Sequence, residues 1–303
     1  MNRSRISIIV VFLFIAGIIW IYRSEFRDQA ESPAPVRTPS QPSDVGTSFP
    51  VSKSPQNITR MKLAKTPARQ IPYSKKPEES VIEFKVIDGL AVAYGDVLLG
   101  KPQEEIPMGR GWYDAPPVQK WDRSEIPYVI SSDVPNPSRI ENALAYFREH
   151  TPIRFVPYEG QKDAVVFEVG TKHCLSSLGR IGGLQSVKLS AECQTQEILH
   201  EIMHTLGFIH EHSRPDRDQY VQVQWNNIEK EYQDQFAIVP DTLFELGQNT
   251  PFDYHSIMLY RPHDFAIKQD LFTLLSSGSE PISPTQSGLS DEDLKKVNRV
   301  YEW

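Results

Sequence analysis

Apolar residues recur at two spacings along the chain after residue 80. A spacing of three and four residues, as in Ile140, Leu144 and Phe147, predicts amphipathic helices, whereas short β-branched or alternating apolar runs predict strands. The predicted helices cover Pro137–His150, Thr195–Leu206, Asn226–Ile238 and Ser290–Tyr301. The predicted strands cover Val81–Ile87, Ile126–Ile130, Ile153–Val156, Ala164–Val169 and Val187–Leu189. Helices and strands mixed in this way predict an α+β fold.

The amino-terminal 22 residues have a different pattern. Ile6–Tyr22 is apolar and uncharged, and it follows Arg3 and Arg5. A helix of this length reaches about 26 Å, at the lower limit for crossing a bilayer. The run is long for a signal peptide and no A-x-A-like site follows it, which favours an uncleaved membrane anchor with a cytoplasmic amino terminus. A cleaved signal and a buried soluble helix are the alternatives. Anchor and signal both leave the rest of the chain outside the cytoplasm.

The next segment, residues 23–80, is rich in Pro, Ser, Thr, Gln and charge and has few large apolar residues. Such a segment cannot bury enough apolar surface to fold, so we expect a disordered linker. The whole chain of 303 residues has a formal net charge of −7 and no basic stripe. Composition therefore gives no signature of nucleic-acid binding, and no pattern indicates an oligomer.

The second predicted helix carries candidate metal ligands. His200 and His204 are four residues apart and share one face, and Glu201 lies beside them, placed to act on a water rather than to bind the metal. Gly207 can adopt the left-handed conformation that ends a helix, so the chain can bring His210 back to the same ion. Three ligands and an open position make a catalytic zinc site. A plain surface helix and a closed structural zinc site are the alternatives.

The residues that follow resemble a known family. Gly207–Asp218 matches the pattern G-F-x-H-E-x-x-R-x-D-R-D of the astacin family of metzincin zinc endopeptidases, and Tyr254–Tyr260 is similar to its Met-turn, S-x-M-x-Y. The resemblance covers about residues 111–303. It implies a metzincin fold, with a twisted mixed sheet and the active-site helix in an upper subdomain and a mostly irregular and helical lower subdomain. It also implies one Zn²⁺ per chain and hydrolysis of peptide bonds in extracytoplasmic proteins.

The resemblance also implies roles for single residues. The implied zinc ligands are His200, His204 and His210. Glu201 would be the general base, and Met258 would lie beneath the metal. Tyr260 would be a displaceable zinc ligand that donates a hydrogen bond to the oxyanion. Glu211 would anchor the amino terminus that propeptide removal frees. The substrate would pair as an extended strand with the edge strand before the active-site helix, here Val187–Leu189.

A propeptide-like segment, residues 81–110, precedes the catalytic region. Many astacin propeptides carry an F-x-G-D motif whose aspartate binds the zinc ion, and Tyr94-Gly95-Asp96 is similar, with the aromatic residue one place closer to the glycine. The resemblance therefore implies latency through Asp96; an ordinary turn is the alternative. A flexible segment with Arg110 follows, so cleavage before Gly111 would start the mature domain. A linker without processing is the alternative.

Cys174 and Cys193 are the only cysteines. Outside the cytoplasm an even pair in one domain favours a disulfide. Astacins carry a similar short-loop bridge, and many carry a second one that reaches the carboxyl terminus. That second bridge is absent here, because Pro152 precedes the Ile153–Val156 strand and the chain ends at Trp303.

Two other classes of function stay open at this level. One is a membrane-tethered binding module without catalysis, against which the intact Glu201 and the three histidines argue. The other is a zinc hydrolase that acts on cell-wall peptides, which the ligand set alone does not exclude. Arg261 and Lys268 lie in the region that shapes the subsite after the scissile bond, where solvated surface charge is favoured over selection of acidic side chains.

Overall fold

The structure is a computed structural model that describes residues 60–61, 68–72, 81–104, 106 and 109–302. The predicted anchor or signal at Ile6–Tyr22 lies outside these residues. Within the described ranges, no helix is both long enough and apolar enough to span a bilayer.

Helices and strands alternate along the described chain. The α-helices are α1 (Ser138–His150), α2 (Thr195–Thr205) and α3 (Asp291–Tyr301). The strands are β1 (Arg60–Met61), β2 (Gln70–Ile71), β3 (Ile82–Ile87), β4 (Leu90–Ala93), β5 (Val97–Pro102), β6 (Arg110–Tyr113), β7 (Glu125–Ser131), β8 (Arg154–Pro157), β9 (Ala164–Val169), β10 (Leu175–Ser176), β11 (Leu184–Leu189), β12 (Val221–Val223) and β13 (Leu274–Ser276). The 3-10 helices are Glu211–Ser213, Arg217–Gln219, Trp225–Asn227, Lys230–Phe236, Asp241–Leu243 and Glu245–Gly247.

One mixed sheet contains all of these strands except β12 and β13, which pair with each other. In its catalytic half β7, β8, β9 and β11 are parallel, and β10 runs antiparallel to β11. In its other half β3, β4, β5 and β6 form antiparallel pairs. β5 joins the halves because Val97 pairs with Ser176 of β10 in parallel. The segment before residue 111 thus extends the sheet of the catalytic region.

The main core lies between the catalytic half of the sheet and helices α1 and α2. The residues of α1 that the helical spacing singled out, among them Ile140 and Phe147, are fully buried against β9 and α2. Four consecutive residues of β9 are buried, as expected for a parallel strand covered on both faces. The lower region after residue 206 has short 3-10 helices and its own cluster around Phe236 and Leu274. The α+β metzincin prediction is confirmed by this architecture.

The predicted helix over Asn226–Ile238 is wrong. Two 3-10 helices form there, because the main chain between them pairs with a distant segment. The Glu229 amide donates to the Phe265 carbonyl and the Ile267 amide donates to the Asn227 carbonyl, both at 2.9 Å. These bonds replace helical bonds, although the apolar residues of the predicted stripe still contact the lower core.

The predicted substrate edge, Val187–Leu189, is also wrong in its position. These residues end β11, which pairs with β9 on one side and with β10 on the other. The chain after Cys174 returns alongside β11 and adds a short outer strand. The edge of the catalytic half is therefore β10, and β5 covers it in this state of the chain.

Order extends into two segments that the composition did not suggest would be ordered. Within the expected linker, β1 pairs with β7 and β2 pairs with β5. Ile71 of β2 is completely buried. The segment expected to be flexible around Arg110 forms β6, in which Gly111 pairs with Phe84 and Tyr113 is buried. Strand pairing at sheet edges and single buried apolar residues order these short segments.

Candidate metal centre and active site

Helix α2 ends where the three-histidine pattern needs it to end. Gly207 has φ +98°, and a Cβ there would lie 2.6 Å from Leu246 Cδ1. Only glycine fits this conformation and this space. The Phe208 amide then bonds to the Met203 carbonyl at 3.0 Å, which closes the helix. The sharp turn carries the chain back along the helix, so that His210 faces the other two histidines.

Four side chains converge on one point. His200, His204 and His210 each place Nε2 near the Asp96 carboxylate, at 3.3, 3.1 and 3.2 Å. One ligand atom from each of the four residues lies within 4.8 Å of the other three. A tetrahedral zinc site with bonds of about 2.0–2.1 Å has ligand–ligand distances of about 3.3 Å. The set therefore has the dimensions of a zinc coordination sphere.

The hydrogen bonding of these groups supports a metal site. His204 Nε2 and Asp96 Oδ1 are buried and make no hydrogen bond within the described chain. His200 Nδ1 lies 2.9 Å from the Ile257 carbonyl, and His204 Nδ1 lies 2.8 Å from the Phe208 carbonyl. A carbonyl only accepts, so both Nδ1 atoms carry the hydrogen and both Nε2 lone pairs face the convergence point. These residues fit a zinc ion.

The Met-turn lies beneath the histidines. Met258 is 2% exposed and packs in the main core, and its carbonyl accepts from the Glu211 amide at 2.8 Å. Asp293 of α3 holds the turn, since its carboxylate accepts from Ser256 Oγ at 2.7 Å and from the Ile257 amide at 2.8 Å. Through Ile257 this anchoring also orients His200. The sequence placed Asp293 only in the first turn of a helix.

Glu201 lies beside the histidines and is 2% exposed. Its Oε2 atom is buried and makes no hydrogen bond within the described residues. Burial raises the pKa of this carboxyl well above its usual value, and the Asp96 carboxylate adds to the rise. Burial opposes ionisation of Asp96 too, but the imidazoles of His210 and His204 lower its pKa well below the usual range. A carboxyl with a raised pKa can both take up and release a proton near neutral pH.

Tyr260 reaches the same cleft from the Met-turn. Its hydroxyl donates to Gln235 Oε1 at 3.2 Å and lies 3.4 Å from the Tyr94 carbonyl. Burial and the Asp96 carboxylate raise its pKa, so the phenol stays protonated and able to donate. His212 stacks on its ring with centroids 3.9 Å apart. Neither Gln235 nor His212 was identified from the sequence; adjacency to His210 and Glu211 was the only available signal for His212.

Glu211 lies in a buried ion-pair network. Its Oε1 accepts from Arg214 Nη1 at 2.8 Å and from the Asp253 amide at 2.9 Å, and its Oε2 accepts from Lys296 Nζ at 2.8 Å. Glu211, Arg214 and Lys296 are each at most 5% exposed. The charges after the third histidine thus hold the turn. Gly111, the expected new terminus, is paired in β6 in this unprocessed chain.

The Cys174–Cys193 disulfide is present and closes a loop with a sequence separation of 19. In the chain-entropy model a loop of this size stabilises the fold by about 3 kcal/mol. The bridge joins the start of β10 to the residues just before α2. It therefore ties the outer strand of the sheet to the helix that carries His200.

The segment before the catalytic region passes through the cleft at Asp96. Gly95 has φ +98°, and a Cβ there would lie 2.7 Å from the Tyr260 hydroxyl. The Ser176 amide of β10 donates to the Asp96 carbonyl at 3.2 Å. The main chain of this segment thus lies against the sheet edge and the Tyr260 side chain. The structure brings together Asp96 and all the residues expected at the metal.

Fold and site together are those of a metalloprotease of the metzincin class. The model of Astacin, a peptidase family, matches residues 114–302. The chain belongs to the astacin family.

Individual relatives agree with this assignment. Zinc metalloproteinase nas-13 of Caenorhabditis elegans is 37% identical over 194 residues, which cover 60% of this chain and 41% of that protein. Meprin A subunit alpha of Rattus norvegicus is 32% identical over 230 residues, which cover 74% of this chain and 29% of that protein. The chain thus spans less than half the length of these two relatives. A solved structure of high choriolytic enzyme 1, a hatching enzyme zinc-protease from Oryzias latipes, is 33% identical with a TM-score of 0.53 and covers 61% of this chain and 93% of that one.

Proposed function

We propose that this chain is a zinc endopeptidase made as a latent precursor. The observation that carries the proposal is the convergence of the Asp96 carboxylate with His200, His204 and His210. In this arrangement the carboxylate occupies the position that a catalytic site must leave open. Removal of the segment that carries Asp96 would open that position to water and substrate.

The catalytic roles follow from the positions of the side chains. When bound, the zinc ion supplies a Lewis acid that polarises the scissile carbonyl and makes water acidic near neutral pH. Glu201 takes the proton from the attacking water and later gives it to the leaving amine. Tyr260 donates its hydroxyl hydrogen to the oxyanion that develops on the carbonyl. His200, His204 and His210 act as neutral imidazoles through Nε2.

The substrate would bind along β10 as an extended strand. The Ser176 amide now donates to the prosegment at Asp96. After the segment leaves, this amide can donate to a peptide carbonyl, the usual mode of binding at a sheet edge.

The Tyr260→Phe variant tests the role of the phenol. We expect kcat to fall about a hundredfold with KM nearly unchanged, because one oxyanion donor is lost while the ring and its stacking on His212 stay. Tyr254→Phe is the matched control, since the Tyr254 hydroxyl donates to the Tyr220 carbonyl in the lower core. An equal loss of activity in both variants would contradict the role of Tyr260.

The domain organisation and location are part of the proposal. Residues 1–22 direct the chain out of the cytoplasm as an anchor or a cleaved signal, 23–80 connect it to the prosegment 81–110, and the catalytic domain begins at 111. The disulfide supports an oxidising location. Amino-terminal sequencing of the active form tests the start at Gly111, and carbonate extraction of membranes separates an anchored from a secreted form.

The experiment for the function itself is hydrolysis of denatured casein by the purified full chain before and after limited trypsin treatment. We expect little activity before treatment and chelator-sensitive activity afterwards. Purified cell wall serves as the second substrate. Hydrolysis of cell wall without hydrolysis of casein would overturn the endopeptidase and favour the cell-wall hydrolase.

A further inference from the structure

An ammonium group of the prosegment sits in the lower wall of the cleft. Lys85 Nζ of β3 lies 2.6 Å from Asp234 Oδ1 and donates a hydrogen bond to the main-chain carbonyl of Glu231. Both acceptors belong to the 3-10 helix Lys230–Phe236 of the lower region. The side chains of Lys85 and Asp234 are 22% and 17% exposed, so most of the contact is removed from water.

This contact borders the candidate active site. Lys85, Glu231 and Gln235 line the same cleft of 810 Å³ as Asp96 and His200. Gln235, the neighbour of Asp234 in the chain, accepts the hydrogen bond from Tyr260. A peptide bound at the metal therefore passes within side-chain reach of Asp234.

The acceptors would lose their cation when the prosegment leaves. Within the described part of the chain, Lys85 is the one ion-pair partner of Asp234. The nearest basic residue of the Met-turn, Arg261, is paired with Asp264 at 3.0 Å. A partly buried carboxylate next to a main-chain carbonyl binds an ammonium or guanidinium group well, because both acceptors can be satisfied by one cation.

We propose that Asp234 and the Glu231 carbonyl form a substrate subsite for a basic side chain, which Lys85 fills in the unprocessed chain. The inference rests on the proposed endopeptidase and names its substrate class: peptides with lysine or arginine close to the scissile bond. The same contact makes the prosegment a partial mimic of substrate, with Asp96 at the metal and Lys85 in the subsite.

The test uses the full chain after trypsin activation and a set of quenched fluorescent peptides. The peptides share one sequence that lacks other basic residues, and a single lysine is moved through three positions on each side of the cleaved bond, with glutamine as the neutral partner at each position. Asp234→Asn removes the charge with little change in shape. Asp241→Asn is the control, because Asp241 is exposed and also starts a 3-10 helix of the lower region.

We expect the unaltered chain to prefer lysine over glutamine about tenfold in kcat/KM at one position, as for a hydrogen bond to a charged group. Asp234→Asn should lose this preference and cleave the glutamine peptide at an unchanged rate, while Asp241→Asn should keep the preference. No lysine preference at any position, or the same preference in Asp234→Asn, overturns the subsite and leaves Lys85 with a structural role only.

Casein hydrolysis by the same preparations reports on the endopeptidase separately. If casein is cleaved and lysine is not preferred, the subsite alone is wrong. If casein is not cleaved, fluorescence anisotropy of labelled lysine and glutamine peptides on the processed chain decides the subsite. Tighter binding of the lysine peptide that Asp234→Asn abolishes supports the subsite; equal binding of the two peptides overturns it.

Discussion

The Glu201→Gln variant is expected to lose casein hydrolysis by about a thousandfold while it keeps its zinc ion. The amide of glutamine cannot take a proton from water, yet it has nearly the size of the carboxyl group it replaces. Glu201 is buried and makes no contact with the point where the histidines meet that would change on substitution. Steady-state hydrolysis after trypsin treatment and metal content of the same sample measure the two quantities.

Glu192→Gln is the matched control for this variant. Glu192 precedes the same helix and is exposed, so it loses the same charge without touching the site. It should retain full activity. Substantial activity in Glu201→Gln would contradict the role of Glu201 as general base, and loss of zinc from this variant would assign the residue to metal binding instead.

The Asp96→Ala variant of the full, unprocessed chain is expected to gain activity by about a hundredfold over the unaltered full chain. A tethered ligand acts at a high effective concentration, so its removal opens the site even while the prosegment stays attached. Lys85 and the pairing of β5 with β10 still hold the segment, and activity should stay below that of the trypsin-processed form. Casein hydrolysis without trypsin measures the gain.

Asp88→Asn is the control for this second variant, since Asp88 lies in the same segment, is exposed and does not approach the histidines. It should stay as inactive as the unaltered full chain. If the full chain is already as active as its processed form, Asp96 is no inhibitor. If Asp96→Ala stays inactive and trypsin activates it, obstruction by the prosegment main chain, rather than its carboxylate, keeps the enzyme latent.

Local patterns sufficed to predict the part of the site that lies on one continuous stretch. The helical spacing of His200 and His204 and the helix end at Gly207 are encoded within a few residues, and each determines a local conformation. The structure also brings Asp96 to these histidines, as the resemblance implied. The disulfide followed from having only two cysteines.

Contacts between distant segments were out of reach of such patterns. Lys85 and Asp234 are 149 residues apart, and Lys296 and Glu211 are 85 apart. Each looks like a solvated surface charge in the sequence, because only the tertiary fold decides that it is buried and paired. The predicted helix over Asn226–Ile238 failed for the same reason, since its backbone bonds with a segment beyond residue 260. The added strand β10 has only two residues, too few for a periodicity.

The central claim is that three histidines hold one zinc ion on which peptide hydrolysis depends. The most direct measurement is zinc content and casein hydrolysis of the trypsin-processed full chain, before chelation, after chelation and during stepwise return of zinc. The account predicts one zinc ion per chain, loss of activity with its removal, and recovery that is complete at one equivalent, with no recovery in His204→Ala. Activity that persists in the zinc-free protein, or that returns equally in His204→Ala, would contradict it.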